Sequence, residues 1–130
     1  MIPLSYRPGG NMNILLISLP EKNKDMKLEA TEVLPLALYS LSSVLKCQGY
    51  EVSIIDPCEF VYLDEKENAE TTCVTLIEEC LEEGYDIVGF SVNTFNWGIT
   101  KTVVNQISWK KNTTVVLGGL HVSVFDEYSL

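Results

Sequence analysis

Short apolar runs alternate along the chain with segments in which apolar residues recur every three or four positions. The apolar runs predict buried β-strands, and they cover residues 12–18, 51–56, 86–92 and 113–117. The wider spacing predicts amphipathic helices, and it covers residues 34–48, 73–83 and 96–111. This βαβαβαβ order predicts an α/β fold, a doubly wound (Rossmann-like or flavodoxin-like) parallel sheet of about four strands with helices on both faces.

Proline, glycine and asparagine mark the ends of these predicted elements. Pro35 fits the first turn of the first helix and Gly49 fits the position after its end, which predicts a helix of about 14 residues. The side chain of Asn96 is expected to cap the third helix. Pro57 is expected to stop the second strand, and residues 21–32 are expected to form a polar loop.

Both ends of the chain depart from the regular alternation. Residues 121–130 have the pattern of a loop that runs into a fourth crossover helix, and no fifth strand follows them. We therefore expect one domain over residues 12–130 that is incomplete at its carboxyl end, with the fifth strand missing by truncation. Residues 1–11 precede the first strand, and we expect them to be a flexible arm or an upstream extension.

The net charge of −9 comes from one part of the chain. Ten acidic residues and one lysine lie between Glu59 and Asp86, whereas the rest of the chain carries equal numbers of each sign. Many of these acids lie on the outer side of the second predicted helix, which indicates a solvated face. Nucleic acid is an unfavourable partner for this composition, because affinity for phosphate backbones comes mainly from lysine and arginine.

The hydropathy of the chain gives no signal for export or membrane insertion. The first ten residues lack the apolar core of a signal peptide. The longest mostly apolar stretch, residues 34–45, is interrupted by serines and is shorter than the roughly 20 residues that a membrane-spanning helix needs. We therefore expect a cytoplasmic protein with no membrane partner.

The four cysteines are Cys47, Cys58, Cys73 and Cys80. None stands in the Cys-x-x-Cys spacing of zinc or iron–sulfur sites, so no metal ligands are predicted. Cys73 and Cys80 are seven positions apart on a predicted helix, which is too far for a disulfide. Because cysteine is among the most buried residue types, buried and reduced thiols are expected.

Ligands of open parallel sheets bind at the carboxyl ends of the strands, here the loops at residues 18–25, 56–58, 91–96 and 118–121. The first loop lacks the glycines of a dinucleotide-binding or Walker A site. It also lacks the acidic cluster of a phospho-receiver domain and the phosphate loop of a flavodoxin. The candidate ligand contacts that remain are the hydroxyl and amide side chains of residues 91–96, after the third strand, and Gly118 and Gly119, after the fourth. The paired glycines either form an ordinary turn or let a ligand or a neighbouring backbone approach closely.

Three segments share their order and spacing with a known family. They are the run from Leu34 to Asp56, Tyr85-Asp-Ile-Val-Gly-Phe-Ser91, and Val115-Val-Leu-Gly-Gly-Leu-His121. With these motifs, residues 12–130 resemble the N-terminal cobalamin (vitamin B12)-binding domain of cobalamin-dependent radical S-adenosylmethionine enzymes. Three motifs in the right order are more specific than any one of them.

The resemblance implies that cobalamin lies against the carboxyl edge of the sheet, with its nucleotide tail between strands. It points to Ser91 and Thr94 as contacts of the tail. It also points to Gly118 and Gly119 as the positions where the tail approaches the backbone closely. His121 follows the glycines as it does in the family, and it belongs to the implied cofactor site.

The chain departs from the cobalamin domains of methionine synthase and methylmalonyl-CoA mutase. Those domains carry Asp-x-His-x-x-Gly after the first strand, and the histidine ligates cobalt. Here His121 is the only histidine, and it either orients its loop or acts as a metal ligand. Radical enzymes of this class commonly lack the motif, so its absence fits them.

Three further residues near the implied site have two interpretations each. Asp56 either hydrogen-bonds polar groups of the ligand or simply ends its strand before Pro57. Phe95 and Trp97 are either core anchors or apolar surfaces that pack on the flat macrocycle.

The second half of the family carries Cys-x-x-x-Cys-x-x-Cys, which holds a [4Fe–4S] cluster and S-adenosylmethionine. None of the four cysteines here has that spacing, so the resemblance implies a cobalamin-binding module that is not catalytic alone. Its implied partners are a corrinoid and the downstream radical domain of the same protein. In the full enzyme the cobalt would either shuttle a methyl group, as in a methyltransferase, or support a radical rearrangement.

Two alternatives stay open at the level of sequence. The first is a doubly wound interaction domain without a ligand, which self-associates as a homo-oligomer through the open sheet edge beyond the fourth strand. The second is a flavin or nucleotide binder with an unfamiliar loop. Its phosphates would need helix N-termini or basic residues, and only Lys22 and Lys24 are nearby.

Overall fold

Four parallel strands form the central sheet of the computed structural model, which describes residues 12–22, 27–29, 35–63 and 68–119. The elements in chain order are β1 (Asn13–Ser18), β2 (Glu21–Lys22), β3 (Leu28–Glu29), α1 (Leu36–Cys47), β4 (Glu51–Ile55), α2 (Pro57–Leu63), α3 (Ala69–Leu81), β5 (Ile87–Ser91), α4 (Trp97–Gln106) and β6 (Thr114–Gly118). The predicted α/β fold with a parallel sheet is confirmed. Residues 1–11 and 120–130, including His121, lie outside the described ranges.

The strands are ordered β4-β1-β5-β6 across the sheet. The chain passes from β1 to one side, returns across it to β5 and continues to β6, so the direction of winding reverses between β1 and β5. Ligands of doubly wound sheets bind beside this reversal, at the carboxyl ends of the strands. The pairing register brings Ser18, Ser91 and Gly118 into one row at that edge.

The two faces of the sheet are covered unequally by the described helices. Leu15, Ile17 and Phe90 belong to the larger buried cluster, which includes residues of α3 and α4. Ile14 and Leu16 point to the opposite face, because neighbouring residues of a strand alternate between faces, and they form a small cluster with Leu38 of α1. Among the described helices, α1 therefore covers this second face over β4 and β1, and β5 and β6 stay open beside it.

Two short features differ from the prediction. Residues 21–32, expected to form a polar loop, contain the antiparallel pair of β2 and β3, and Leu28 is buried against the larger cluster. Pro57 ends the strand as expected but also begins α2. Asp56 accepts a hydrogen bond from the Cys58 backbone N–H at 2.9 Å, and Phe60 is fully buried, so a helix start and an apolar anchor hold this turn in place.

Helix α3 begins before the expected residue 73. The side chain of Asn68 accepts a hydrogen bond from the Thr71 backbone N–H at 2.8 Å, which caps the helix at Ala69. Near this end Glu70 pairs with Lys22 of β2. The hydrogen bond from Lys22 lowers the pKa of the Glu70 carboxyl, and the pair connects the β2–β3 hairpin to α3.

The expectation that the cysteines are buried is wrong for two of them. Cys73 is buried and Cys80 is partly buried, both on α3. Cys47 is exposed because it is the last residue of α1, and Cys58 is exposed in the first turn of α2. Burial raises the pKa of the Cys80 thiol, and the nearby Glu83 carboxylate raises it further. Within the described ranges, no helix has the length and apolar character to cross a membrane.

Candidate functional site

An open groove lies along α1, on the face of the sheet that this helix covers incompletely. Its volume is about 400 Å³. The floor comes from β1, β5 and β6, and α1 supplies one wall. The lining residues are Ile14, Leu16, Ala37, Leu38, Leu41, Leu45, Tyr50, Ile87, Gly89, Phe90, Ser91, Val116, Gly118 and Gly119. The groove therefore begins at the carboxyl edge, beside the reversal in strand order, and extends down the sheet.

Glycines at two positions in the strands shape the floor of this groove. Gly89 lies in the middle of β5, where an added Cβ atom would stand 3.2 Å from Cδ2 of Leu16. Gly118 lies at the end of β6, where an added Cβ atom would meet nothing within 4 Å. Both glycines alternate with residues that face the larger core, so they face the groove. Larger side chains at these positions would project into the groove.

The chemistry of the lining is almost entirely apolar. None of the described lining residues carries a charged side chain, and Ser91 and Tyr50 are the two of them with polar side chains. Ser91 ends β5 at the carboxyl edge, and Tyr50 precedes β4 at the opposite end of the sheet. Such a groove fits a flat, carbon-rich group that carries polar atoms near its ends.

The two adjacent glycines after the fourth sheet strand have different roles. Gly119 has a φ of +110°, and an added Cβ atom would lie 2.5 Å from the carbonyl oxygen of Val92. At this position glycine is required because a neighbouring backbone approaches closely in a left-handed turn. Gly118 has no such constraint, and its missing side chain leaves open space in the groove.

A buried asparagine holds the loop between β5 and α4. Asn96 is 1% exposed. Its Nδ2 group donates to the carbonyl oxygens of Leu19 (2.9 Å) and Ser91 (3.2 Å), and its Oδ1 atom accepts from the Asn93 backbone N–H (2.9 Å). The prediction that the Asn96 side chain caps α4 is wrong, because its amide makes these hydrogen bonds and none to the first turn of the helix. They connect the carboxyl ends of β1 and β5 beside the groove.

The same loop presents Thr94 and Phe95 at its surface. Asn93 Oδ1 accepts hydrogen bonds from the backbone N–H groups of Phe95 (2.8 Å) and Asn96 (2.9 Å), which forms a tight turn. Thr94 is exposed and does not line the groove. Phe95 is 68% exposed, so it is not a core anchor, whereas Trp97 packs against the larger core cluster.

Polar groups at the end of β4 are occupied within the fold. Asp56 accepts from the Cys58 backbone N–H and, at 3.4 Å, from the Tyr39 hydroxyl. These contacts support the interpretation that Asp56 ends its strand. Burial, followed by the charge of Asp56, raises the pKa of the Glu59 carboxyl. No group of three or more metal-ligating residues is assembled within the described parts of the chain.

The structure brings together three of the five residues expected in the cofactor site. Ser91, Gly118 and Gly119 line one groove, Thr94 lies on the adjacent loop, and His121 lies outside the described residues. Sequence reasoning missed Gly89 and the wall formed by α1. Gly89 had a signal in the sequence, because a glycine inside an otherwise apolar strand often marks a place where a ligand or another backbone approaches closely.

Comparison with known protein families identifies a match. The family model for the B12 binding domain matches residues 30–130. This range contains α1, β5 and β6, which form most of the groove, and it leaves out β1. No curated protein and no solved structure gives a significant match.

Proposed function

Because the chain belongs to the B12-binding domain family, we propose that the groove beside α1 binds the nucleotide tail of cobalamin. The observation that carries this proposal is the position and chemistry of the groove. It opens at the carboxyl edge beside the reversal in strand order, and the lining residues that the structure describes are uncharged.

The lining fits the aromatic base of the tail. A benzimidazole ring is flat and apolar, and the missing side chain of Gly118 leaves room for it against β6. Ser91 supplies a hydroxyl for hydrogen bonding at the open end, and Gly119 holds the turn that shapes this end. His121 is a proposed contact because it follows the two glycines in the third motif. Thr94 lies outside the motifs and is a proposed contact because it follows the end of β5 on the loop after Ser91.

Bound cobalamin would supply a cobalt centre that transfers methyl groups or supports radical chemistry. The residues of this chain would bind the tail, orient it and exclude water from it. We propose that the radical chemistry belongs to a downstream domain of the same protein, which holds a [4Fe–4S] cluster and S-adenosylmethionine. The three ordered motifs that resemble cobalamin-dependent radical enzymes support this context. No residue of this chain is proposed to be catalytic.

The second candidate is self-association through β6. Among the described strands, β6 pairs with β5 alone, and Val116 on this strand is 47% exposed. Unpaired strand edges promote pairing with another chain. Light scattering distinguishes the two candidates, because a stable dimer that retains no corrinoid supports the second.

Titration of the chain with hydroxocobalamin tests the proposed function. We expect saturable binding by equilibrium dialysis and a change in visible absorbance. Gly118→Leu should weaken binding at least about tenfold, since its side chain enters the space reserved for the tail. Thr114→Leu is the matched control, because it lies on the same strand, is exposed and does not line the groove. Absence of binding at high micromolar concentration would contradict the proposal.

A further inference from the structure

We infer that the groove selects corrinoids by their lower base, and that it prefers carbon-rich bases such as dimethylbenzimidazole over adenine. This inference rests on the proposed function. It concerns which corrinoid is taken rather than whether a corrinoid binds.

The distribution of polar groups in the groove supports the inference. Its two polar side chains, Ser91 and Tyr50, lie at opposite ends. Between them the described lining consists of apolar side chains and glycine, with Leu16 on the floor and Leu38 and Leu41 on the wall. Among the residues that the structure describes, a base that lies along the middle of the groove therefore meets no side chain that can donate or accept a hydrogen bond.

The backbone of the floor offers no replacement partners in the centre. Strand β5 pairs with β1 on one side and with β6 on the other, so the polar groups of Gly89 are used within the sheet. Adenine has an exocyclic amine and ring nitrogens that are hydrated in water. They would lose those hydrogen bonds without replacement, which is costly. Dimethylbenzimidazole presents methyl groups there instead, and burying them is favourable.

The experiment compares three corrinoids in their dicyano forms, in which cyanide occupies both axial positions of cobalt and the tail is detached. They are cobalamin, the analogue with adenine as lower base, and cobinamide, which has no nucleotide tail. This form removes differences in how readily each base leaves the cobalt. Dissociation constants are measured by equilibrium dialysis against the full chain.

We expect cobalamin to bind at least about tenfold more tightly than the adenine analogue, and more tightly than cobinamide. Equal or tighter binding of the adenine analogue would overturn the inference and leave the proposed function intact. Equal binding of cobinamide and cobalamin would contradict both the inference and the proposed binding of the tail, because the groove would not hold the base. Retention of none of the three would contradict the proposed function itself.

A variant of the wall provides a second readout. Leu41→Gln adds an amide to the lining, and we expect it to narrow the preference for cobalamin over the adenine analogue by about threefold or more. Val44→Gln is the matched control, since Val44 lies on the same helix, is exposed and does not line the groove. An unchanged preference in Leu41→Gln, or an equal change in both variants, would overturn the inference.

Discussion

Replacement of Gly119 by alanine is expected to lower the free energy of unfolding by about 3 kcal/mol. The backbone at this residue has a φ of +110°, which L-residues rarely adopt, and the added methyl group would stand 2.5 Å from the Val92 carbonyl oxygen. The backbone at Val92 cannot easily move away from Gly119, because the Val92 N–H donates to the Gly118 carbonyl oxygen at 2.7 Å. Chemical denaturation in urea measures the loss.

The adjacent glycine provides the control for this prediction. An added Cβ atom at Gly118 meets nothing within 4 Å and its φ is not positive, so Gly118→Ala should change the free energy of unfolding by less than about 0.5 kcal/mol. Equal losses in the two variants would contradict the assignment of the turn to Gly119 and of the open space to Gly118.

Replacement of Asn96 by leucine is expected to lower the free energy of unfolding by about 3 kcal/mol as well. The substitution removes three hydrogen bonds of a fully buried amide and leaves the carbonyl oxygens of Leu19 and Ser91 without the donor that they have now. Because these carbonyl groups lie at the carboxyl ends of β1 and β5, we also expect faster amide hydrogen exchange there. Urea denaturation and hydrogen exchange measure the two effects.

Two comparison variants separate the hydrogen bonds of Asn96 from simple loss of a polar residue. Asn105→Leu replaces an exposed asparagine of α4, the helix that follows Asn96, and should leave stability within about 0.5 kcal/mol of the native value. Asn96→Asp retains the acceptor for Asn93 but places a carboxylate against two carbonyl oxygens, which raises the pKa of the new carboxyl in the folded state. Its loss of stability should therefore shrink as the pH falls. A loss that is independent of pH would contradict this account.

The strands and the existence of three of the helices were predictable because their apolar patterns are long enough to be distinctive. The helix ends were less so, since α4 ends at Gln106 and not near the predicted residue 111. The sheet strands agree with the predicted runs to within one residue at either end, since buried parallel strands contain few polar positions. The hairpin was not predictable in this way, because β2 and β3 have two residues each. Helix α2 was missed because Pro57 was interpreted only as a stop, although proline also fits the first turn of a helix.

The candidate site was predictable at its edge but not along its length. Ser91 and Gly118 stand at strand ends, and the parallel arrangement brings strand ends together. The wall could not be predicted, because Ala37 and Leu41 are spaced like any inward-facing helix positions. Whether such positions meet another helix or an open groove depends on which part of the sheet α1 covers. Nor could the sequence distinguish Gly118 from Gly119, since only the backbone geometry separates their roles.

Backbone amide mapping of the cobalamin complex by two-dimensional NMR tests the central claim most directly. Addition of hydroxocobalamin to the chain should shift the amide signals of Gly89, Ser91, Gly118 and Gly119 and of groove-facing residues in α1. Signals from the opposite face, such as those of Ile77 in α3 and Val103 in α4, should stay in place. Shifts confined to α3 and α4, or no shifts at saturating cobalamin, would contradict binding in the groove.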